Sequence, residues 1–313
     1  MKFLLRSAVA FLVAAPAFAA EPLKLIIPTP PGGGTDGFFR LLAREAEPLL
    51  GQPIVVMNVP GAGGTIGVAQ LVRSAPDGLT VAGVWLGPIT VGPHTMKTPY
   101  TPQDYIPVIQ VSSAPYVYCV PPTFPAKSGQ ELLDELKKNK DKYTYGNDGL
   151  GGPGHLATAR ILRAINASAR DVPFKGAGET LTNFLGGHID IYVGSIPPVL
   201  AHVQSGKAKC LLVSSAERSP SLPSAAGLRE LGLAEEETIL WRALIAPKGT
   251  PPERVAALEG AFEKAANAPA SRKFLQDAGE QVAIRKGAAL RDYIDREYAA
   301  IGKAVRALNL APR

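Results

Sequence analysis

The stretch Leu23-Lys24-Leu25-Ile26-Ile27-Pro28-Thr29-Pro30-Pro31-Gly32-Gly33-Gly34-Thr35-Asp36 reads as a strand, a glycine-rich loop and the start of a helix. Leu23 to Ile27 is an apolar run of strand length, and a helical pattern follows from Gly37 to Leu50 before Gly51 ends it. The same order recurs twice. Ile54 to Met57, the loop Pro60-Gly61-Ala62-Gly63-Gly64-Thr65 and the pattern Ile66 to Ser74 form a second copy, and strand Leu79 to Val84 follows it. Tyr143 to Gly146, the loop from Asn147 to Gly154 and a helix His155 to Ile165 form a third. Strand Ile189 to Val193, a turn at Gly194-Ser195-Ile196-Pro197, helix Pro198 to Ser205 and strand Lys209 to Val213 come next. Strands alternating with helices predict α/β layers, with strands covered on both faces. Near the C-terminus Thr250-Pro251-Pro252-Glu253 reads as a capping box opening a helix to about Ala266. Two further helices, over about 270–278 and 288–308, make the last part of the chain read as packing helices.

The loops carry the functional expectation. A glycine-rich turn feeding a helix leaves unpaired N–H groups at the positive end of the helix dipole, and glycine lets an anion approach without a Cβ in the way. One such loop can serve tight packing alone. Two in separate chain halves, both at the carboxyl ends of strands, predict a cleft between anion sites, with carboxylate as a natural guest. Gly149-x-Gly151-x-x-Gly154 also fits a nucleotide fingerprint, with Asp171 at the distance where a ribose-binding acid is sought. Pro153 alters that loop and the strand before it is short and polar, so no nucleotide or other cofactor is expected. The four histidines form no H-E-x-x-H pair, no Ser stands in G-x-S-x-G, and neither cysteine has a metal-ligand partner nearby. Neither a catalytic group nor a metal centre is therefore expected. His155, opening a helix beside a glycine loop, either lines the cleft or hydrogen-bonds in the core.

With 313 residues and 46% hydrophobic content the chain is long enough for two domains. Lys2 and Arg6, the apolar stretch from Ala8 through Ala15 and Ala17-Phe18-Ala19 read as a signal peptide cleaved after Ala19 or Ala20. Its apolar run is about half of the roughly 20 residues that a spanning helix needs, and nothing later is longer, so an exported, soluble mature chain is expected. Losing Lys2 and Arg6 lowers the formal charge of +6 by two, and the remaining bases are interleaved with acids, which argues against nucleic acid as a partner. Outside the cytoplasm Cys119 and Cys210 are either a disulfide or two thiols buried in apolar strands.

The run from Leu25 to Asp36, Gly51-Gln52-Pro53-Ile54-Val55-Val56 and Pro60-Gly61-Ala62-Gly63-Gly64-Thr65-Ile66-Gly67 together resemble the Bug-type periplasmic solute-binding proteins of tripartite tricarboxylate transport systems. The resemblance continues through Ala75-Pro76-Asp77-Gly78, Gly149-x-Gly151-x-x-x-His155-Leu156, Pro173-Phe174-Lys175-Gly176, Leu185-Gly186-Gly187-His188-Ile189-Asp190 and Ala246-Pro247-x-Gly249-Thr250-Pro251. It implies a two-lobed α/β periplasmic binding protein fold of type II, a Venus flytrap with two hinge crossings. Residues 1–20 would be the signal peptide, 21–120 plus 239–313 the first lobe and 121–238 the second.

Carried over by motif, Gly33, Gly34, Thr35 and Asp36 would supply the first lobe's ligand contacts. Asp36 would repel a carboxylate, so it is read as a helix-start residue that orients the loop and its water. Asn147, Gly149, Gly151, Gly152 and His155 would line the second lobe, with Gly194 and Ser195 beside them. Lys175 matches the family's aromatic-Lys-Gly element and either favours the anion or solubilises the surface. Three positions depart from the pattern: Thr29 stands where an aromatic residue is common, Gly152 where Ser or Thr is, and Gly194 where Asp often precedes Ser195. Losing an acid at 194 removes a partner for a ligand ammonium, which favours an uncharged tail or a dicarboxylic acid. Trp85 either stacks on a ring that Thr29 leaves room for or packs within its lobe, and Arg242 either pairs with a second carboxylate or lies at the surface.

Two functions follow. The first is a monomeric, cofactor-free, non-enzymatic periplasmic protein that closes on a mono- or dicarboxylic acid, aromatic ones included, and presents it to membrane transporter subunits or a sensor. The alternative is an exported α/β hydrolase using the same cleft.

Overall fold

The computed structural model describes residues 21–310, Asp148, Leu150 and Lys175 excepted, so the expected signal peptide and Lys175 lie outside the described residues. Strand β1 (Leu23–Ile27) leads through the glycine loop into α1 (Gly34–Leu50), then β2 (Ile54–Asn58), α2 (Thr65–Val72) and β3 (Thr80–Trp85). A π-helical turn at Gly87–Val91 runs into the short α3 (Gly92–Thr95), and β4 (Tyr105–Pro115) follows. The apolar run of β1 is explained by cover on both sides. Leu23, Leu25 and Ile27 pack with Phe38, Phe39 and Leu42 of α1, while Ile26 packs with Val68 and Leu71 of α2. Phe38 and Phe39 are fully buried, each stabilising the lobe by about 2–3 kcal/mol.

The chain then enters a second sheet with β5 (Val117–Val120), α4 (Gly129–Lys138), β6 (Thr144–Asn147), α5 (Pro153–Ala164), β7 (Arg170–Pro173), α6 (Ala177–Leu185), β8 (Ile191–Gly194), α7 (Ile196–Gln204) and β9 (Lys209–Val213). It returns through β10 (Ile239–Pro247), α8 (Pro252–Asn267), α9 (Pro269–Asp277), β11 (Gln281–Lys286) and α10 (Gly287–Ala307). The first sheet has the order β11-β4-β10-β3-β1-β2 and the second β7-β6-β8-β5-β9, two separate sheets as the resemblance implies. Val117 to Val120, expected in the first lobe, pairs antiparallel with β8 and β9, so by sheet membership the first crossing falls at Tyr116. Two other expectations are corrected. Gln281 to Lys286 is an edge strand against β4, not part of a helical tail. Thr250 does not cap α8, because its hydroxyl donates to the Pro247 carbonyl at 2.8 Å and Pro251 stands at the N-cap.

The crossings are joined. Ser214, wholly buried at the end of β9, accepts from the Tyr116 N–H at 2.9 Å and donates to the Thr238 carbonyl at 2.5 Å. Arg160 of α5 donates to the Glu237 carbonyl at 2.8 Å and to the Thr238 hydroxyl at 2.7 Å, tying that helix to the second crossing. Cys119 and Cys210 sit opposite each other in the β5–β9 ladder and form a disulfide, which decides between the two readings of these residues. Among the described residues no helix is long and apolar enough to cross a membrane.

Two predictions concern stability. The disulfide joins residues 91 apart, so Cys119→Ala/Cys210→Ala should lose about 2–4 kcal/mol of unfolding free energy in urea and become insensitive to added thiol. Glu297, on the buried face of α10 where it accepts from Trp241 Nε1 at 2.8 Å, has its pKa raised by burial from 4.5 to about 7. The folded chain therefore keeps a proton that the unfolded chain has released. The stability from the neutral carboxyl is complete below 4.5 and lost as pH rises through about 7. Glu297→Gln should flatten that loss and exceed the parent protein at pH 8 by up to about 3 kcal/mol in pH-resolved melts.

Candidate ligand-binding cleft

In lobe one, α1 starts with Gly33 at its N-cap and no side-chain cap. Its first intrahelical bond runs from the Gly37 N–H to the Gly33 carbonyl, so the amides of Gly34, Thr35 and Asp36 precede the ladder. Gly33 and Gly34 are exposed. The Asp36 side chain turns away from this opening. It is 3% exposed and accepts from the Gly32 N–H at 2.9 Å, from Arg40 Nε at 2.9 Å and from Asn58 Nδ2 at 2.7 Å. Burial alone pushes its pKa up, but Asn58, the Gly32 N–H and Arg40 outweigh burial and hold the carboxyl below the ordinary value. Asn58 also donates to the Thr29 carbonyl at 3.0 Å, so one side chain at the end of β2 fixes both the entry of the loop and its exit into α1. The Thr29 hydroxyl oxygen is buried without a hydrogen-bond partner.

Trp85 packs within lobe one. Its ring lies 2.7 Å from where a Cβ on Gly64 would stand, and Gly64 has φ +94, so glycine at 64 serves both the turn and the ring. Across the β3–β10 ladder Trp85 is in register with Arg242, which is buried and not at the surface. Arg242 Nε donates to the Thr35 hydroxyl at 3.1 Å, Nη1 forms an ion pair with Glu280, and Nη2 is 3.8 Å from the Cβ position of Gly34. A guanidinium thus stands directly behind the first turn of α1.

Lobe two is built differently. Asn147, the last residue of β6, donates to Asp171 through Nδ2 and accepts from the Gly149 N–H through Oδ1 at 2.9 Å. The Gly151 N–H donates to His155 Nδ1 at 2.9 Å, and His155 Nε2 stands 4.0 Å from Asp171 Oδ2. Because Nδ1 accepts, the neutral ring carries its hydrogen on Nε2, toward Asp171. Two amides expected at the ligand are therefore held by side chains of their own loop, and His155 is a loop-shaping residue in this structure. Gly152 is the N-cap of α5 and donates to the Gly149 carbonyl at 2.9 Å. The Tyr192 phenol fills the space a Cβ on Gly194 would need and donates to the Ser195 carbonyl at 2.9 Å. That packing explains the missing acid at 194.

Two bridges bring the lobes against each other. A Cβ on Gly279, in the turn between α9 and β11, would lie 2.8 Å from Pro197 and 3.2 Å from Ile196, just after Gly194 and Ser195. Val91, Leu156, Ile301, Ala304 and Val305 form an apolar cluster shared by the lobes, and Leu310 lies 3.7 Å from the Cβ position of Gly151. Through the first bridge Ser195 neighbours the turn whose Glu280 pairs with Arg242 behind Gly34 and Thr35. Through the second the Gly149–His155 loop abuts the end of α10. Of the residues missed from sequence, Asn58 had a visible signal as a polar end to an apolar strand. Glu280 had none, since it meets Arg242 across 38 residues of sequence.

The chain matches, over residues 38–310, the family model described as tripartite tricarboxylate transporter family receptor. It is 34% identical over 259 residues to protein BugT of Bordetella pertussis, covering 82% of this chain and 79% of that protein. Among solved structures, a TctC solute binding protein from Polaromonas superposes with TM-score 0.86 at 30% identity, covering 93% of this chain and 99% of the other. MatC from Rhodopseudomonas palustris, solved with bound malate, superposes with TM-score 0.68 at 28% identity over 92% of this chain and 100% of that one.

Asp36 generates an acid-range prediction. Its contribution is complete above the unfolded value near 3.8 and lost as pH falls through the lower folded value. Asp36→Ala should cost about 1–3 kcal/mol at pH 7, and the gap from the parent should close as acid unfolding is followed below pH 4.

Proposed function

This chain belongs to the tripartite tricarboxylate transporter receptor family, and from that membership we propose that it captures a small carboxylate between its two lobes for such a transporter. The observation that carries the reading is the start of α1, where exposed glycines, amides ahead of the helical ladder and a turned-away Asp36 leave a preformed anion seat. Malate bound to MatC supports carboxylate as the guest. Gly194, packed under Tyr192, offers no acid to a ligand ammonium, which favours an acid with an uncharged tail or a second carboxylate over an amino acid. In this reading Gly33, Gly34 and Thr35 face the ligand from lobe one, with Thr29 behind them, and Gly149, Gly151 and Gly152 with Ser195 face it from lobe two, held in place by Asn147 and His155. Lys175 adds charge if the ligand reaches the start of α6. The mature protein acts in the periplasm after loss of its first 20 residues, as a monomer that hands its cargo to membrane subunits and performs no chemistry on it. The hydrolase alternative has no support in the family or its solved relatives.

A thermal-shift panel of carboxylic acids tests the reading. One or a few should raise the melting temperature by several degrees at a hundredfold excess over Kd, where linkage supplies about 2.7 kcal/mol, and be recovered unaltered by mass spectrometry. Gly34→Val should abolish that shift. The nearest atom to its Cβ is Arg242 Nη2 at 3.8 Å, so the unliganded fold should stay within about 1 kcal/mol of the parent. Gly151, at φ +71, does not offer so clean a test, because any side chain there strains the loop. Undiminished binding by Gly34→Val, or conversion of a bound acid, would contradict the proposal.

A further inference from the structure

The Arg242–Glu280 pair sits where a ligand carboxylate and its counter-charge would meet. Arg242 is 5% exposed, yet its guanidinium touches the Thr35 hydroxyl and stands 3.8 Å from the Cβ position of the exposed Gly34. A buried guanidinium without a partner is strongly destabilising, so the unliganded chain must supply a carboxylate of its own. Glu280 is that carboxylate, and its other contact is weak, a 3.3 Å hydrogen bond from the Ser112 hydroxyl. Glu280 also borders open space. It lines an interlobe cavity of about 630 Å³ together with Gln110 and Arg285, and the far wall carries Glu217, Arg218 and Glu237. Arg285, which donates to Gln110 at 2.8 Å, offers a second cation on the same cavity wall. The preceding residue, Gly279, packs on Ile196 and Pro197 of the other lobe, so the turn bearing Glu280 feels how the lobes are set.

We propose that Glu280 is an internal stand-in for one carboxylate of a dicarboxylic ligand, and that Arg242 is the specificity residue which passes from Glu280 to that ligand group. This rests on the carboxylate reading of the cleft. The first carboxylate takes the amides at the start of α1, and the second takes the guanidinium behind it. Glu280 withdraws toward Arg285 into the cavity. A monocarboxylate gains nothing from Arg242, because Glu280 already satisfies it, and so the pair separates the two classes of acid. Charge stays balanced throughout, since one carboxylate replaces another on the same guanidinium.

Isothermal titration of the full mature chain with succinate, glutarate and adipate, each set against the monocarboxylate of equal length, tests this. Glu280→Gln removes the competing charge. It should tighten the preferred dicarboxylate by about tenfold or more, with monocarboxylates within about threefold of the parent. Arg242→Gln/Glu280→Gln, which buries no unpaired charge, should bring dicarboxylate affinity down to that of the matched monocarboxylate. Glu280→Asp, which keeps the charge but shortens its reach, should act in the direction of Glu280→Gln and serves if the latter does not fold. If the parent binds these acids and the folded variants shift mono- and dicarboxylates alike or not at all, the pair is structural and the exchange is refuted. A parent that binds monocarboxylates alone also refutes the exchange and leaves the receptor reading standing. A parent that binds neither class overturns both.

Discussion

A guanidinium buried behind the first turn of a helix cannot be left without a counter-charge, and much of the lobe-one architecture follows from satisfying Arg242. It stands on β10, the strand that carries the chain back from the second lobe, and reaches the Thr35 hydroxyl at the start of α1. Its partner Glu280 belongs to the turn that meets α7. One side chain thus ties together the returning strand, the helix whose amides face the cleft and the point where the lobes touch. Phe38, stacked 5.8 Å from the same guanidinium, extends that tie into the apolar core.

The two lobes solve the problem of an open helix start in opposite ways. In lobe one, Asp36 is drawn back by Asn58, Gly32 and Arg40, which leaves the amides ahead of Gly37 pointing outward. In lobe two, Asn147 and His155 occupy the amides of Gly149 and Gly151 themselves. The first loop leaves the backbone amides of a helix start without a side-chain cap. The second is a loop whose form depends on the Asn147–Asp171–His155 group.

Much of this was readable from the residues. The β1 run, its glycines and the following helix are legible because every residue of the strand but Lys24 is apolar and Gly51, at φ 65, closes the helix in the left-handed conformation. Family motifs carried the two-lobed fold. What escaped depends on distant partners. Gln281 to Lys286 alternates weakly and is half exposed at a sheet edge, so its strand character comes from pairing with β4 more than from its own pattern. The change of sheet at Tyr116 has only Pro115 just before it as a signal, since Ser112 and Ser113 still belong to β4. The role of Asp36 was legible from charge alone, since an acid cannot sit against an anion, but its partner Asn58 needed the fold. Capture of the Gly149 and Gly151 amides could not be read from spacing, because Asn and His serve equally well as ligand contacts or as loop struts.

Ser214 has a mechanical consequence. With its hydroxyl bonded to Tyr116 on one crossing and to Thr238 on the other, the two connecting strands are pinned at one depth and cannot slide past each other independently. A rotation of one lobe against the other would keep both of these bonds if it turned about that serine. Shared by both connecting strands, that hydroxyl is a pivot point that such a rotation would leave intact.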